Sequence, residues 1–449
     1  MITEGLERLA EHLAGGLTTS RALTEACLAR IAAADGEGAR AFPFGASARA
    51  LEDADVQDRL RREGRIASPF AGIPIAVKDN VDQAGQVTRA GTRLLDQDPS
   101  AAADAPVVAR LRAAGFVVVG RTNMTELAFS GLGLNPHYGT PANPRGTDAA
   151  RIPGGSSSGS AVAVAAGMAS AAVGTDTGGS CRIPAAFCGL VGFKPTGARI
   201  PRDGVFALST TLDCVGSLGV SVTCCAVMDA VMAGEADLTL SPRPLHGLTL
   251  GALQGAVLAD LEPAVALAYE AALKRLRQAG VAITPVTLEA LGDIARINAK
   301  GGFSAGELYA HLGARLEAHA DLVDPRVLRR VRLGAGLEPA DYAAMQAIRS
   351  GMIAKVDAAL SGFDAILTPT TPVVAPRFDE LDADEDYARI NGLALRNPSI
   401  ANLLDRPAIS IPCETTGALP VGLSLMGRTG EDRALLALAA GLESVIRGT

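Results

Sequence analysis

Three short stretches hold the side chains best placed to do chemistry. Lys78 is one of only five lysines, with Lys194, Lys274, Lys300 and Lys355, and it follows the uncharged run AGIPIAV. A lysine drawn into apolar surroundings has a depressed pKa and, once neutral, is a base. The same position equally suits a strand-end lysine paired with its neighbour Asp79. The second stretch is residues 154–160, GGSSSGS, and the third is residues 174–180, GTDTGGS, followed by Cys181 and Arg182. Serine runs between glycines are usually flexible turns, and Gly-Gly pairs are usually tight ones. Successive small residues ahead of a serine also let backbone N–H groups converge on one point, a nest for an anion or a developing oxyanion. Two such loops joined by a small-residue helix, with a lysine in an apolar run upstream, point to nucleophilic chemistry.

Competing motifs are weaker. Residues 155–159 match G-x-S-x-G, but that elbow needs a strand just before it, and PANPRGTDAARIP reads as loop. Of the five histidines, His12, His246, His311 and His319 sit in patterns of solvated helix or loop, and His137 in NPHYGT reads as a hydrogen-bonded loop residue near a pocket. No HExxH, CxxC, P-loop or strand-linked G-x-G-x-x-G occurs, so neither a metal nor a cofactor is expected. Cys181, next to the last serine, is an alternative nucleophile, although adjacent side chains point in different directions.

The elements around these loops must hold them. Helical patterns cover about 3–14, 20–34, 45–63, 104–114, 158–168, 263–279, most of 302–361, and 430–446. Apolar runs at 70–77, 116–119, 281–288, 365–372, 408–412 and 421–427 read as strands. Strands alternating with helices predict one large α/β domain with a helical excursion around 290–360. The Gly/Pro/Asn/Ser-rich stretch 131–160 is too long for an ordinary connection and reads as functional.

Composition narrows the function classes. Apolar types make up 48% of 449 residues, enough for a large core and against disorder. The net charge of −7 removes the basic footprint of a nucleic-acid binder. Seven scattered cysteines give no disulfide framework, and no apolar run is long enough to span a bilayer. The expectation is a cytoplasmic protein with neither nucleic-acid nor membrane partners.

The stretch GGSSSGSAVAVAAGMASAAVGTDTGGSCRIPAAFCG resembles the signature of the amidase signature family, and GIPIAVKDN resembles that family's lysine segment. The resemblance continues through FKPTGARIPRDG, TLDCVG, LTPTTP and LPVGLSLMG, and is weakest over 235–360. It implies a single domain over 1–449 with a central twisted mixed β-sheet covered by helices. The implied core spans about 65–230 and 362–449, with a variable, mainly helical, substrate-shaping segment at about 240–360. It further implies a Ser–cis-Ser–Lys triad of Ser180 as nucleophile, Ser156 as bridge and Lys78 as base. The oxyanion hole would be the backbone N–H groups of Thr177, Gly178, Gly179 and Ser180. Met124, Ser157, Asp176 and Arg182 are the expected substrate contacts. Cys181 departs from the aliphatic residue usual after the nucleophile, which affects local packing.

NMTELAF, NPHYGT and TLDCVG resemble the same segments of indole-3-acetamide hydrolases and related small-molecule amidases. The implied activity is hydrolysis of a small linear amide, arylacetamides first, with a homodimer left open as the assembly. Three other readings remain: the glutaminase component of a tRNA-dependent amidotransferase, a hydrolase of ureido compounds such as carboxybiuret or allophanate, and a non-catalytic scaffold protein.

Overall fold

The buried runs at Pro74–Lys78 (β1) and Val117–Thr122 (β2) lie side by side as parallel strands. The helix Pro106–Ala113 precedes β2, with Pro106 in its first turn where the missing N–H costs nothing. Eight further strands complete the sheet: Ala171–Asp176 (β3), Val191–Lys194 (β4), Cys214–Gly219 (β5), Thr249–Leu253 (β6), Ala282–Val286 (β7), Ala365–Pro369 (β8), Ala408–Pro412 (β9) and Gly422–Met426 (β10). Their order is β2-β1-β3-β5-β4-β9-β10-β8-β6-β7. This computed structural model describes residues 2–146, 148–414 and 417–448.

The sheet is mixed. β1 is parallel to β2 and β3, and β6 is parallel to β7 and β8, while β3 through β5, β4, β9, β10 and β8 alternate in direction. Its central strands are buried along their whole length, so they read as continuous apolar or small-residue runs. One apolar cluster joins the N-terminal helices to β1–β3 and β5, and a second joins the helices Pro263–Gln278 and Asp432–Arg447 to β6 and β8–β10.

The α/β expectation holds, with differences at particular elements. The expected helix at 45–63 begins only at Ala50, because Gly45 takes φ +78° and Ala46 bridges to Gly120 on β2. The expected strand at 70–77 begins at Pro74, after a turn through Gly72 at φ +91°. Residues 302–361 divide into Gly302–Ala318, Pro325–Arg332 and Pro339–Ala359, each of the last two opened by a proline. β6 is a strand the sequence reading did not expect, whereas β7 matches the strand expected at 281–288 and the helical excursion begins near Ile294, close to the expected 290.

Candidate active site

β1 and β3 run parallel, so both deliver their C-terminal ends to the same edge of the sheet, where ligands of open α/β sheets bind. Lys78 ends β1 and Thr175 is the penultimate residue of β3. Lys78 Nζ lies 2.8 Å from Ser156 Oγ and 2.8 Å from Thr175 Oγ1, and Asn80 Nδ2 donates to the same Thr175 oxygen at 2.9 Å. Lys78 is fully buried. Burial pulls its pKa down to about 8, opposed by the nearby Cys181, Asp213 and Asp176. The alternative pairing with Asp79 does not form, because Asp79 Oδ1 takes the Arg121 Nε–H at 2.7 Å instead.

The serine loop precedes the helix Ser158–Ala165. Its Gly155–Ser156 peptide bond is cis. A Cβ on Gly155 would stand 2.6 Å from Thr125 Oγ1, so no side chain fits there. Residues 152–157 are loop, and the nucleophile elbow is not formed. The helix itself is fastened to the sheet by Ser160, whose hydroxyl lies 2.7 Å from Thr122 Oγ1 and donates to the Val173 carbonyl at 3.0 Å.

The third stretch turns sharply out of β3. Gly179 takes φ +125°, and a Cβ there would lie 2.7 Å from Pro398. Asp176 is the pin beneath the turn: its Oδ1 accepts the Gly179 N–H at 2.8 Å and its Oδ2 the Cys181 N–H at 3.1 Å. Arg182 grips both carboxylate oxygens, at 2.9 and 3.1 Å, and Asn402 braces the pair. Burial pushes the Asp176 carboxyl up, but Arg182 wins and holds it at about 2. Ser180 emerges above this pin and lines a cavity of about 440 Å³. The Ser157 N–H donates to the Ser180 carbonyl at 3.3 Å, tying the two serine loops together.

Several expected roles move. Of the four N–H groups expected in the oxyanion hole, that of Gly179 is spent on Asp176. Those of Thr177, Gly178 and Ser180 meet no acceptor among the described residues. The four expected substrate contacts are not on the cavity wall. Met124 is fully buried behind the wall, in the apolar cluster that also holds Phe129 and Leu208, Asp176 and Arg182 neutralise each other under the loop, and Ser157 donates to the Thr175 carbonyl. Cys181 is fully buried, and burial raises its pKa, so it stays a thiol. His137 Nε2 sits 3.0 Å from Glu126 Oε1, in keeping with a bonded loop histidine. Among the described residues no cluster could hold a metal ion.

The cavity wall brings in residues the sequence did not flag. Phe129, Leu208, Leu212, Leu395 and Leu403 make it apolar. Arg330, on the helix Pro325–Arg332, also faces it. This half-buried guanidinium lies 4.3 Å from the Phe129 ring and donates to the Phe129 carbonyl. Among the described residues it has no carboxylate partner, whereas Arg326 and Arg329 on the same helix both pair with Asp384, and Arg332 pairs with Glu317. Val327 and Val331 are buried, so Arg330 lies at the border of the helix's apolar stripe, and that position is the signal the sequence offered.

A family profile described as Amidase matches residues 22–436. The 2-amino-5-chloromuconic acid deaminase of Comamonas testosteroni is 36% identical over 402 residues, 89% of this chain and 87% of that protein. The A component of the glutamyl-tRNA(Gln) amidotransferase of Synechococcus sp. strain WH7803 is 36% identical over 466 residues, 96% of this chain and 94% of that protein. A crystal structure of an amidase superposes with a TM-score of 0.86 at 31% identity, covering 98% of this chain and 99% of that one. Among the described residues no helix is long and apolar enough to cross a membrane.

Proposed function

The chain belongs to the Amidase family, and from that premise we propose that it hydrolyses a small amide through an acyl-enzyme on Ser180. The amide-hydrolysing class is common to the family; the assignment of individual residues is our reading. The observation that carries it is Lys78, buried with no carboxylate of the described residues within bridging distance and 2.8 Å from Ser156, whose loop is bonded to the Ser180 backbone beside the cavity.

Neutral Lys78 accepts the Ser156 proton as Ser156 accepts that of Ser180. Ser180 Oγ then attacks the amide carbon, and the N–H groups of Thr177, Gly178 and Ser180 hold the oxyanion. The proton returns along Ser156 to the leaving nitrogen. Water, activated by the same pair, hydrolyses the ester.

For the substrate, the leucine-rich wall and the unpaired Arg330 favour an amide with an apolar body and a carboxylate or similar anionic end. A half-buried guanidinium without an anion is costly, and a planar carboxylate matches its fork. The relative named for 2-amino-5-chloromuconic acid is in keeping with an acidic substrate. A second reading, the glutaminase of an amidotransferase, is favoured by the same residue, since Arg330 suits the α-carboxylate of glutamine equally.

Ammonia release from paired amides with and without a carboxylate, together with L-glutamine, tests both. Turnover of an acidic amide by the isolated chain, diverted to a hydroxamate by hydroxylamine, is expected. Release from glutamine alone, and only after the other amidotransferase components are added, would transfer the assignment to the amidotransferase.

A further inference from the structure

The hydroxyl of Thr177, at the head of the TGGS loop, donates to Asp213 Oδ1 at 2.5 Å. Asp213 is 7% exposed, and its second oxygen accepts the N–H groups of Leu208 at 2.9 Å and Ser209 at 3.0 Å. One carboxylate therefore joins the 208–213 loop to the loop that carries Ser180. The 208–213 loop is in turn held by the helical cover. Ser209 Oγ donates to Glu307 Oε2 at 2.6 Å, Thr211 donates to Glu307 through N–H at 3.1 Å and hydroxyl at 2.5 Å, and Tyr342 adds its hydroxyl at 2.7 Å. Glu307 lies on Gly302–Ala318 and Tyr342 on Pro339–Ala359.

We propose that Asp213 is a positioning residue whose ionised carboxylate fixes the Thr177 end of the TGGS loop, so that the loop's N–H groups converge on the oxyanion. The inference rests on the Ser180 reading above. Its physical basis is a count of donors. Three donors aim at Asp213, and only a carboxylate accepts all three without a proton of its own to place. Protonation would force Thr177 to turn round or let go.

The surroundings put that event within reach of ordinary pH. Burial lifts the Asp213 pKa to about 6, against the bonds from Thr177, Ser209 and Leu208 and the charge of Arg202. Arg202 Nη1 donates to the Asp213 carbonyl at 3.2 Å and to the Thr210 carbonyl at 2.8 Å. Asp203 lines the same 350 Å³ cavity behind the loop, Lys78 feels the Asp213 charge, and Glu307 stands one bond away through Ser209.

The test uses a fluorophore-linked alkyl fluorophosphonate, which needs no knowledge of the substrate. The Ser180 Oγ–P bond forms as the P–F bond breaks, fluoride leaves, and the serine proton passes to Lys78. Asp213→Asn and Thr177→Val are each expected to slow labelling about 10- to 100-fold, with Thr177→Ser close to wild type. The double variant should be no slower than the slower single, because both cut one contact. In the wild type the logarithm of the rate should fall with slope one from about pH 8 to 6, where Lys78 alone binds a proton, and with a slope approaching two over about the next one to two units, where Asp213 binds one as well and the rate drops to that of Asp213→Asn. Asp213→Asn should show slope one throughout. Labelling of Asp213→Asn at the wild-type rate, or a slowed variant that keeps slope two, would overturn the proposal while leaving Ser180 as nucleophile. An unlabelled wild type would overturn the Ser180 reading and this inference with it.

Discussion

The floor and the roof of the cavity are built on different principles. In the floor, Lys78, Ser156, Thr175 and Ser180 are between 0% and 3% exposed, and backbone groups make many of the contacts that set their loops. Close approach there forbids even a methyl group at Gly155 and Gly179. The roof is carried on amphipathic helices, and it meets the cavity largely through side chains. Arg330 is half-buried and Leu333 is 54% exposed. Geometry that must be reproduced to a few tenths of an ångström is written in backbone and small residues, while the proposed selection of the substrate falls to side chains replaceable one at a time.

Removing the proposed nucleophile tests the floor most severely. Ser180→Ala is expected to lower kcat by about 10⁴-fold or more, measured as ammonia release, and activity near wild type would remove Ser180 from its role. Next comes Lys78→Arg, expected to lose about 10³-fold or more because a guanidinium stays charged. The base must be neutral, so the wild-type rate should climb about tenfold per pH unit between about 6 and 8, where Lys78 alone titrates, and level off above about 8. A flat profile through that range would break the assignment.

The roof should respond more mildly and more selectively. Arg330→Met is expected to raise KM for a carboxylate-bearing amide about 10- to 100-fold with kcat little changed, and to leave the neutral counterpart unaffected. Equal losses on both substrates would make Arg330 a structural residue. The smallest effect belongs to Leu333→Ala, expected to cost a few-fold in KM for bulky substrates, with thermal stability nearly unchanged because the side chain is already half in water. A large loss of stability there would show that the roof is as tightly packed as the floor.

What could be read in the sequence follows the same division. Lys78, Ser156 and Ser180 stood out because a rare lysine and two Gly/Ser loops leave a pattern over a few neighbouring residues. Thr175 and Asp213 lie inside the stretches GTDTGGS and TLDCVG, but nothing there marked their roles: each matters through a partner elsewhere in the chain, Lys78 for one and Thr177 for the other. Asp176 and Arg182 were expected on the substrate only through the family resemblance, and at a separation of six residues they close on each other. β3, β4, β5 and β6 escaped notice as strands because alanine, glycine and serine blunt their apolar pattern, and burial on both faces removes the alternation that marks a half-exposed strand. Arg330 was hidden among four arginines on one short helix, of which only the packing shows which lacks an acidic partner.

The strand order carries a consequence for biosynthesis. β4 pairs on one side with β5, close in sequence, and on the other with β9, near the far end of the chain. A ribosome adding about 5–20 residues per second needs roughly 10–40 s to make the roughly 200 residues between them. Throughout that interval the nascent N-terminal half presents β4 as an unpaired apolar edge, the kind of surface that recruits another copy of itself. The newborn chain therefore passes through a sticky stage that the finished enzyme does not display, and its yield in a cell should depend on chaperone supply and translation speed more than its folded stability would suggest.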